Sequence, residues 1–171
     1  MVASLELNDI ERLDRKKHDR AAFTCKKPDY ADYLQKLAGQ DQDRSYSTCY
    51  VLTLKDSVEV IGYYTLSSGS IGLGELPEDV KKTIPKYPSV PATLIGRLAK
   101  SNKPEFKEVG LGEHLLMDAL YRCLETSKEI ASFVVVVEAE PDVAWFYEGI
   151  MHALPDQPNK FFLRMADIEK M

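Results

Sequence analysis

The stretch Lys107-Glu-Val-Gly-Leu-Gly-Glu113 sets two glycines one residue apart behind a lysine, and a helical repeat begins directly after them. Glycine has no Cβ, so the backbone there can approach a ligand closely. A loop of this kind feeding a helix N-terminus aims amide N–H groups and the positive end of the helix dipole at one place, which suits a phosphate. The same glycines suit a plain tight turn. No Lys-Ser or Lys-Thr pair follows Gly112, so this is not the triphosphate loop. Nor does it open the chain's first strand–helix unit with an acidic partner about 20 residues on, as a dinucleotide fold requires. Other reactive side chains are scattered. Cys25, Cys49 and Cys123 are widely separated and odd in number, which argues against a disulfide framework and against a zinc site; no metal is expected, and the three are expected to be buried or half-buried. Tyr147, in the run "AWFYEG", offers a phenol, a group that titrates near pH 10, but an aromatic beside Trp145 and Phe146 can equally be packing. No catalytic base stands out. Glu138, His18 and His152 are candidates, each equally explained as structural or exposed, and His114 is expected to pack or to face solvent.

Positioning such residues takes a mixed set of elements. Residues 5 to 13 suggest a first strand. "PDYADYLQKLAGQDQD" from Pro28 reads as a helix with Asp29 as its N-cap and an apolar stripe of Tyr30, Tyr33, Leu34 and Leu37. "SYSTCYVLTL" and "VEVIGYYTLSSGSI", split by "KDS", read as paired antiparallel strands. "LPEDVKKTI" suggests a short helix. Pro85, Pro88 and Pro91 force irregular chain ahead of a strand at residues 92 to 101. After the glycine loop, Leu115, Leu116, Ala119, Leu120, Cys123 and Leu124 recur at helical spacing. "ASFVVVVEA" is a near-continuous apolar strand of the kind covered on both faces. A short helix near "PDVAWFYEG" and a strand "KFFLRMA" complete the pattern. The expectation is a single α/β (α+β mixed) domain over residues 1–171, with no repeat and no linker.

The chain's 171 residues, 44% hydrophobic and 29% charged, describe a globular protein with a substantial core. The longest apolar run is interrupted by Glu138, and the N-terminus lacks a signal-peptide core, so no membrane segment and a cytoplasmic location are expected. The net charge of −5 disfavours a nucleic-acid partner at first. Its distribution points the other way. From Glu11 to Lys27, seven basic residues (Arg12, Arg15, Lys16, Lys17, Arg20, Lys26, Lys27) meet three acidic ones; from Arg97 to Lys107, four (Arg97, Lys100, Lys103, Lys107) meet Glu105 alone. Such segregation can present a basic face or simply solvate the surface.

In context the glycine loop is more specific. The order hairpin, strand ending "RLAKS", glycine loop, long helix, apolar strand and "WFYEG" resembles the GNAT acetyltransferase superfamily, whose acetyl-CoA loop runs Arg/Gln-x-x-Gly-x-Gly/Ala. Lys107, Gly110 and Gly112 hold those places, with Lys107 departing from the usual Arg or Gln. "HDRAAFTCKKPDYADYLQKLAGQD", "VIGYYTLSSGSI", "YPSVPATLIGRLAKS" and "AWFYEGIMHALP" resemble the GNAT toxins of type II toxin–antitoxin pairs over roughly residues 15 to 165, with "FTCK" at Phe23 to Lys26 where "FDCG" is common. The resemblance implies a central mixed, mostly antiparallel twisted sheet of six to seven strands flanked by helices. It implies acetyl-CoA as co-substrate, held by Leu98, Ala99 and Lys100 along the pantetheine arm and by Lys107, Glu108, Val109, Gly110, Leu111, Gly112 and Glu113 at the pyrophosphate. It also implies Tyr147 as general acid, aminoacyl-tRNA as substrate with Arg20, Lys26, Lys27 and Arg97 against its phosphates, a ribbon-helix-helix antitoxin and a homodimer. A GNAT enzyme for a small amine or a protein, or a noncatalytic acyl-CoA-binding module, are the alternatives.

Overall fold

The computed structural model describes residues 5–171. Seven strands form one mixed sheet: β1 (Glu11–Arg12), β2 (Thr48–Thr53), β3 (Val60–Gly72), β4 (Ser89–Lys100), β5 (Val134–Glu138), β6 (His152–Leu154) and β7 (Gln157–Arg164), in the order β1-β2-β3-β4-β5-β7-β6. The β4–β5 pair is parallel; β1–β2, β2–β3, β5–β7 and β6–β7 are antiparallel. Six helices accompany it: α1 (Pro28–Lys36), α2 (Ala38–Asp43), α3 (Glu78–Lys81), α4 (Leu111–Ser127), α5 (Ala144–Glu148) and α6 (Met165–Glu169). This is the mixed, mostly antiparallel sheet with flanking helices that the sequence leads one to expect. Among the described residues no helix is long and apolar enough to cross a membrane.

The chain gathers into two compact units, one from the chain up to Ser67 with Gly96–Ala119, the other from Ser68–Ile95 with Leu120–Met171. Each has its own core. The first packs Phe23, Tyr33, Leu34, Cys49 and Val51 around Tyr63, with Phe23 edge-on to the Tyr63 ring at 5.8 Å and Tyr33 stacked on it at 6.4 Å. The second packs Ile71, Leu76, Val90, Val134, Val136 and Phe162. The apolar run of β5 is buried from Val134 to Val137, as a strand covered on both faces must be.

Several boundaries differ from the sequence expectation, each for a local reason. The first strand shrinks to Glu11–Arg12, because its pairing with β2 covers only those two residues beyond an isolated bridge from Leu7 to Leu54. Asp29 is not the cap of α1. Lys27 precedes the helix with extended backbone, Pro28 enters first with its φ already helical, and Asp29 sits in the first turn where a carboxylate favours the dipole. The helix predicted through Asp43 breaks at Leu37, where φ reaches −119°. Leu37 is 49% exposed rather than part of the buried stripe. The break lets α2 bury Ala38 and Gly39, and a Cβ on Gly39 would collide with the Arg15 side chain. Pro91 lies within β4 rather than ahead of it; its carbonyl accepts the Phe133 N–H at 3.0 Å. The strand expected through Ala166 ends at Arg164, where helix α6 takes over Met165 and Ala166, and strand β6 has no counterpart in the sequence expectation.

Candidate active site

Within the first unit, β4 carries the residues expected along an acyl-CoA arm. Its pairing with β5 covers Ala92 to Ile95, and the strand continues through Gly96, Arg97, Leu98 and Ala99 to Lys100. Over that continuation the Arg97 N–H donates to Thr65 Oγ1 at 3.0 Å, and the Ser101 N–H donates to the Ile61 carbonyl at 2.8 Å. Leu98 is half-buried, Ala99 buried and Lys100 exposed. A strand edge of this kind can pair with the amides of an extended ligand.

The chain next forms a 3₁₀ turn at Pro104–Phe106, pinned by the buried Phe106, and enters the glycine loop. Two residues there are left-handed, Glu108 at φ 62° and Gly110 at φ 80°. Alternation of this sort turns successive amides toward one concavity, an arrangement that binds anions. Helix α4 begins at Leu111, and its earliest bond into Gly110 comes from the His114 N–H to the Gly110 carbonyl at 3.0 Å. The first-turn amides of Leu111, Gly112 and Glu113 therefore point outward along the axis, as at any helix start. Leu111, Leu115 and Leu116 are fully buried and fix the helix. Leu115 lies over Gly62 of β3, where a Cβ would meet its Cδ1 at 2.9 Å, and the Tyr64 hydroxyl donates to Asp118 at 2.6 Å. Lys107 and Glu113 are exposed; Val109, Gly110 and Gly112 are half-buried. Left-handed backbone, small residues and a helix start converge in this loop, an arrangement that can hold an anion, and Lys107 at its entrance is exposed.

Both basic segments also belong to this unit, and they touch. The Asn102 N–H donates to the Thr24 carbonyl at 3.1 Å, and the Thr24 hydroxyl donates to Asn102 Oδ1 at 2.7 Å. That brings the chain around Lys26 and Lys27 beside the chain between Lys100 and Lys103. Arg97 lies over the Tyr33 ring, its guanidinium carbon 3.7 Å from the centroid, while the Tyr33 hydroxyl donates to Asp41 at 2.7 Å. Arg20 commits one N–H to the Leu34 carbonyl at 2.9 Å, near the end of α1. Not every counted charge is available. Arg15 pairs with Asp43, Lys17 with Glu11 and Lys103 with Glu59, each at 2.6 Å. Lys16, Lys100 and Lys107 are exposed.

Tyr147 belongs to the second unit, on α5. It is 5% exposed, its ring 5.1 Å from Phe146 and 5.9 Å from Phe161 of β7, while its carbonyl accepts from the Ile150 and Met151 N–H groups. The phenol is thus held in a fixed aromatic setting. The candidate bases fare differently. His18 is buried, accepts the Asp14 N–H on Nδ1 at 2.9 Å and meets Glu11 through Nε2 at 2.8 Å, a structural clasp. His152 is exposed on β6 beside the Phe162 ring, Glu138 is exposed at the end of β5, and His114 is half-buried in α4. The three cysteines are free and buried, and burial pushes the Cys49 and Cys123 thiols up to about 12, so neither is a nucleophile. Among the described residues, no three His, Cys, Asp or Glu side chains gather as a metal site would. The Thr65–Arg97 bond, the Tyr33–Arg97 stack and the Thr24–Asn102 pair carried no signal in the sequence, because each joins residues far apart in the chain.

No protein-family model matches the chain. It is 31% identical over 171 residues to a probable toxin TacT of Sinorhizobium fredii, covering 95% of this chain and 93% of that protein. It is 33% identical over 151 residues to a tRNA-acetylating toxin of Mycobacterium tuberculosis, covering 87% of each. Among solved structures it resembles a tyrosine-to-phenylalanine mutant of KacT, with a TM-score of 0.87, 27% identity, and coverage of 96% of this chain and 98% of that one.

Proposed function

The chain belongs to the tRNA-acetylating toxins of the GNAT acetyltransferase superfamily, and we propose that it moves the acetyl group of acetyl-CoA to the α-amino group of an aminoacyl-tRNA, blocking translation. We assign the work to one catalytic domain acting in the cytoplasm. The observation that carries this reading is the course of the chain from Gly96 to Glu113: a strand running on beyond its paired register at Ile95, then left-handed Glu108 and Gly110, then the start of α4. Leu98, Ala99 and Lys100 bind the pantetheine arm as an added strand would bind, and Lys107 with the backbone from Glu108 to Glu113 holds the pyrophosphate. Lys107 contacts phosphate as a point charge rather than a fork, so it anchors less rigidly than the usual Arg.

Transfer needs little proton chemistry from the protein. The amine of an aminoacyl ester is less basic than an alkylamine, so its neutral form is available without a dedicated base. As nitrogen attacks the thioester carbon, the Leu98 N–H donates to the oxygen that gains charge. The C–S bond then breaks, the Tyr147 hydroxyl gives its proton to the departing thiolate, the extra proton on nitrogen leaves to solvent, and the tyrosinate takes a proton back from solvent. Lys26, Lys27, Arg97 and the remaining donors of Arg20 meet backbone phosphates of the acceptor end. The family resemblance adds a homodimer and a ribbon-helix-helix antitoxin as partners.

The test is transfer of labelled acetyl from acetyl-CoA to charged bulk tRNA, run across salt concentrations beside a panel of free amines and a protein substrate. Replacing Lys26 and Lys27 together should weaken tRNA binding and lower the log–log salt slope by about 1.5, at roughly 0.7–0.9 per phosphate contact. Transfer to free amines or protein but never to charged tRNA refutes the tRNA reading. Binding of acetyl-CoA without transfer to any amine refutes catalysis altogether.

A further inference from the structure

In a regular strand the N–H and C=O of one residue share an edge, and alternate residues face opposite edges. Strand β4 breaks this rule. At its start the Pro91 carbonyl accepts from Phe133, so odd-numbered residues face β5. Toward its end the Arg97 N–H reaches Thr65 Oγ1 on β3, and the Ser101 N–H reaches the Ile61 carbonyl, so odd-numbered residues face β3. One residue has been inserted between them, a β-bulge, and the register with β5 stops at Ile95, immediately before it. On the shifted register the Leu98 and Lys100 N–H groups point away from β3, along the edge on which pairing has ended.

Thr65 is built into the bulge. Its side chain is 1% exposed, and its hydroxyl takes the Arg97 N–H that the irregularity leaves without a ladder partner. Gly96 makes room for it: a Cβ there would lie 2.8 Å from Thr65 Oγ1, the one heavy atom that it would meet within 4 Å. We propose that Thr65 is a positioning residue for acetyl transfer, its hydroxyl wedged against Gly96 and bonded to Arg97 so that the bulge turns the Leu98 N–H toward the thioester carbonyl. This rests on the acetyltransferase reading above. The effect falls on the charge that develops in the transition state, so the expected change is in kcat rather than in acetyl-CoA affinity, where the pyrophosphate loop still anchors the ligand.

Thr65→Val keeps shape and removes the acceptor; Thr65→Ser keeps the hydroxyl. With charged tRNA as acceptor, Thr65→Val should lower kcat about tenfold to a hundredfold while KM for acetyl-CoA stays within twofold, and Thr65→Ser should recover most of the rate. Hydrogen exchange on the unliganded protein should show the Arg97 amide exchanging faster in Thr65→Val and protected in Thr65→Ser. Gly96→Ala, which drives a methyl at the hydroxyl, should reproduce the kcat loss. A kcat for Thr65→Val within twofold of the parent overturns the proposal, as does a rate loss that Thr65→Ser fails to restore, or an Arg97 amide whose exchange is unchanged. A parent protein inert toward every amine overturns the functional reading instead, and the exchange measurement then still decides for or against the wedge.

Discussion

Glu75 is a carboxylate held by three donors. The Gly72 N–H reaches Oε2 at 2.7 Å, and Gln157 Nε2 and Lys160 Nζ each reach Oε1 at 3.1 Å, so one side chain ties the end of β3 to β7. The hydrogen bond from Gln157 first, then those from Gly72 and Lys160, hold its pKa at about 2 against an ordinary 4.5. At 1.36 kcal/mol per tenfold shift in proton affinity this corresponds to an upper bound of roughly 3 kcal/mol favouring the folded, ionised state. The Glu75 and Lys160 side chains are 31% and 24% exposed, so solvent screens part of it, and about 2 kcal/mol is the working figure. The folded-state pKa is lowered, so the contribution is complete above pH 4.5 and is lost as pH falls from there toward 2. Glu75→Gln keeps the size and one acceptor oxygen but removes the charge. Urea unfolding at pH 7 should find the variant less stable by about 1–2 kcal/mol, and the gap should narrow steadily between pH 4.5 and 2.5. A gap that stays constant over that range, or no gap at pH 7, would refute the account of Glu75 as an ionised clasp.

Two further outcomes bear on the site. Gly110→Ala puts a Cβ on backbone at φ 80°, where an L-residue loses about 1–2 kcal/mol. Calorimetry and thermal unfolding together should show that loss as lower stability, weaker acetyl-CoA binding by about tenfold, or a division between the two; if both are unchanged, the loop does not need its left-handed turn. Tyr147→Phe should keep acetyl-CoA affinity while lowering turnover about 10²–10⁴-fold. A rate within twofold of the parent, with chemistry shown to be limiting, makes Tyr147 one more ring in the Phe146–Phe161 cluster.

What the sequence made legible is what short-range periodicity encodes. The repeat from Leu115 to Leu124 gave α4, four valines in a row gave β5, and the glycine spacing marked the turn into the helix that the structure places at Glu108 to Leu111. Elements settled by partners elsewhere in the chain were not legible. The β6–β7 hairpin closes through Pro155 and Asp156, the latter at φ 62°, pairing Leu154 with Gln157. The run "HALPDQPN" has no alternation strong enough to announce two strands. Pro91 reads as a strand breaker, yet β4 contains it, because its carbonyl still serves Phe133. The bulge at Gly96 was invisible for the same reason: its acceptor, Thr65, lies on another strand.

Charge gives the sharpest instance of this limit. Counting along the chain assigns each lysine and arginine to its neighbours in sequence, whereas screening depends on neighbours in space. Asp43 and Glu59 lie outside both basic segments, yet each takes one of their cations, and Glu11 takes Lys17 from within. The net positive charge that each segment shows on paper is therefore partly answered inside the folded unit. Three observations work the other way. The Thr24–Asn102 hydrogen bonds bring the two segments side by side, which no linear count could reveal. The Tyr33 ring fixes the direction of Arg97. Three lysines, Lys16, Lys100 and Lys107, stay exposed within that one unit. A strongly acidic ligand would therefore meet fewer charges than the sequence advertises, but charges drawn together in space, where a phosphate backbone can contact several at once.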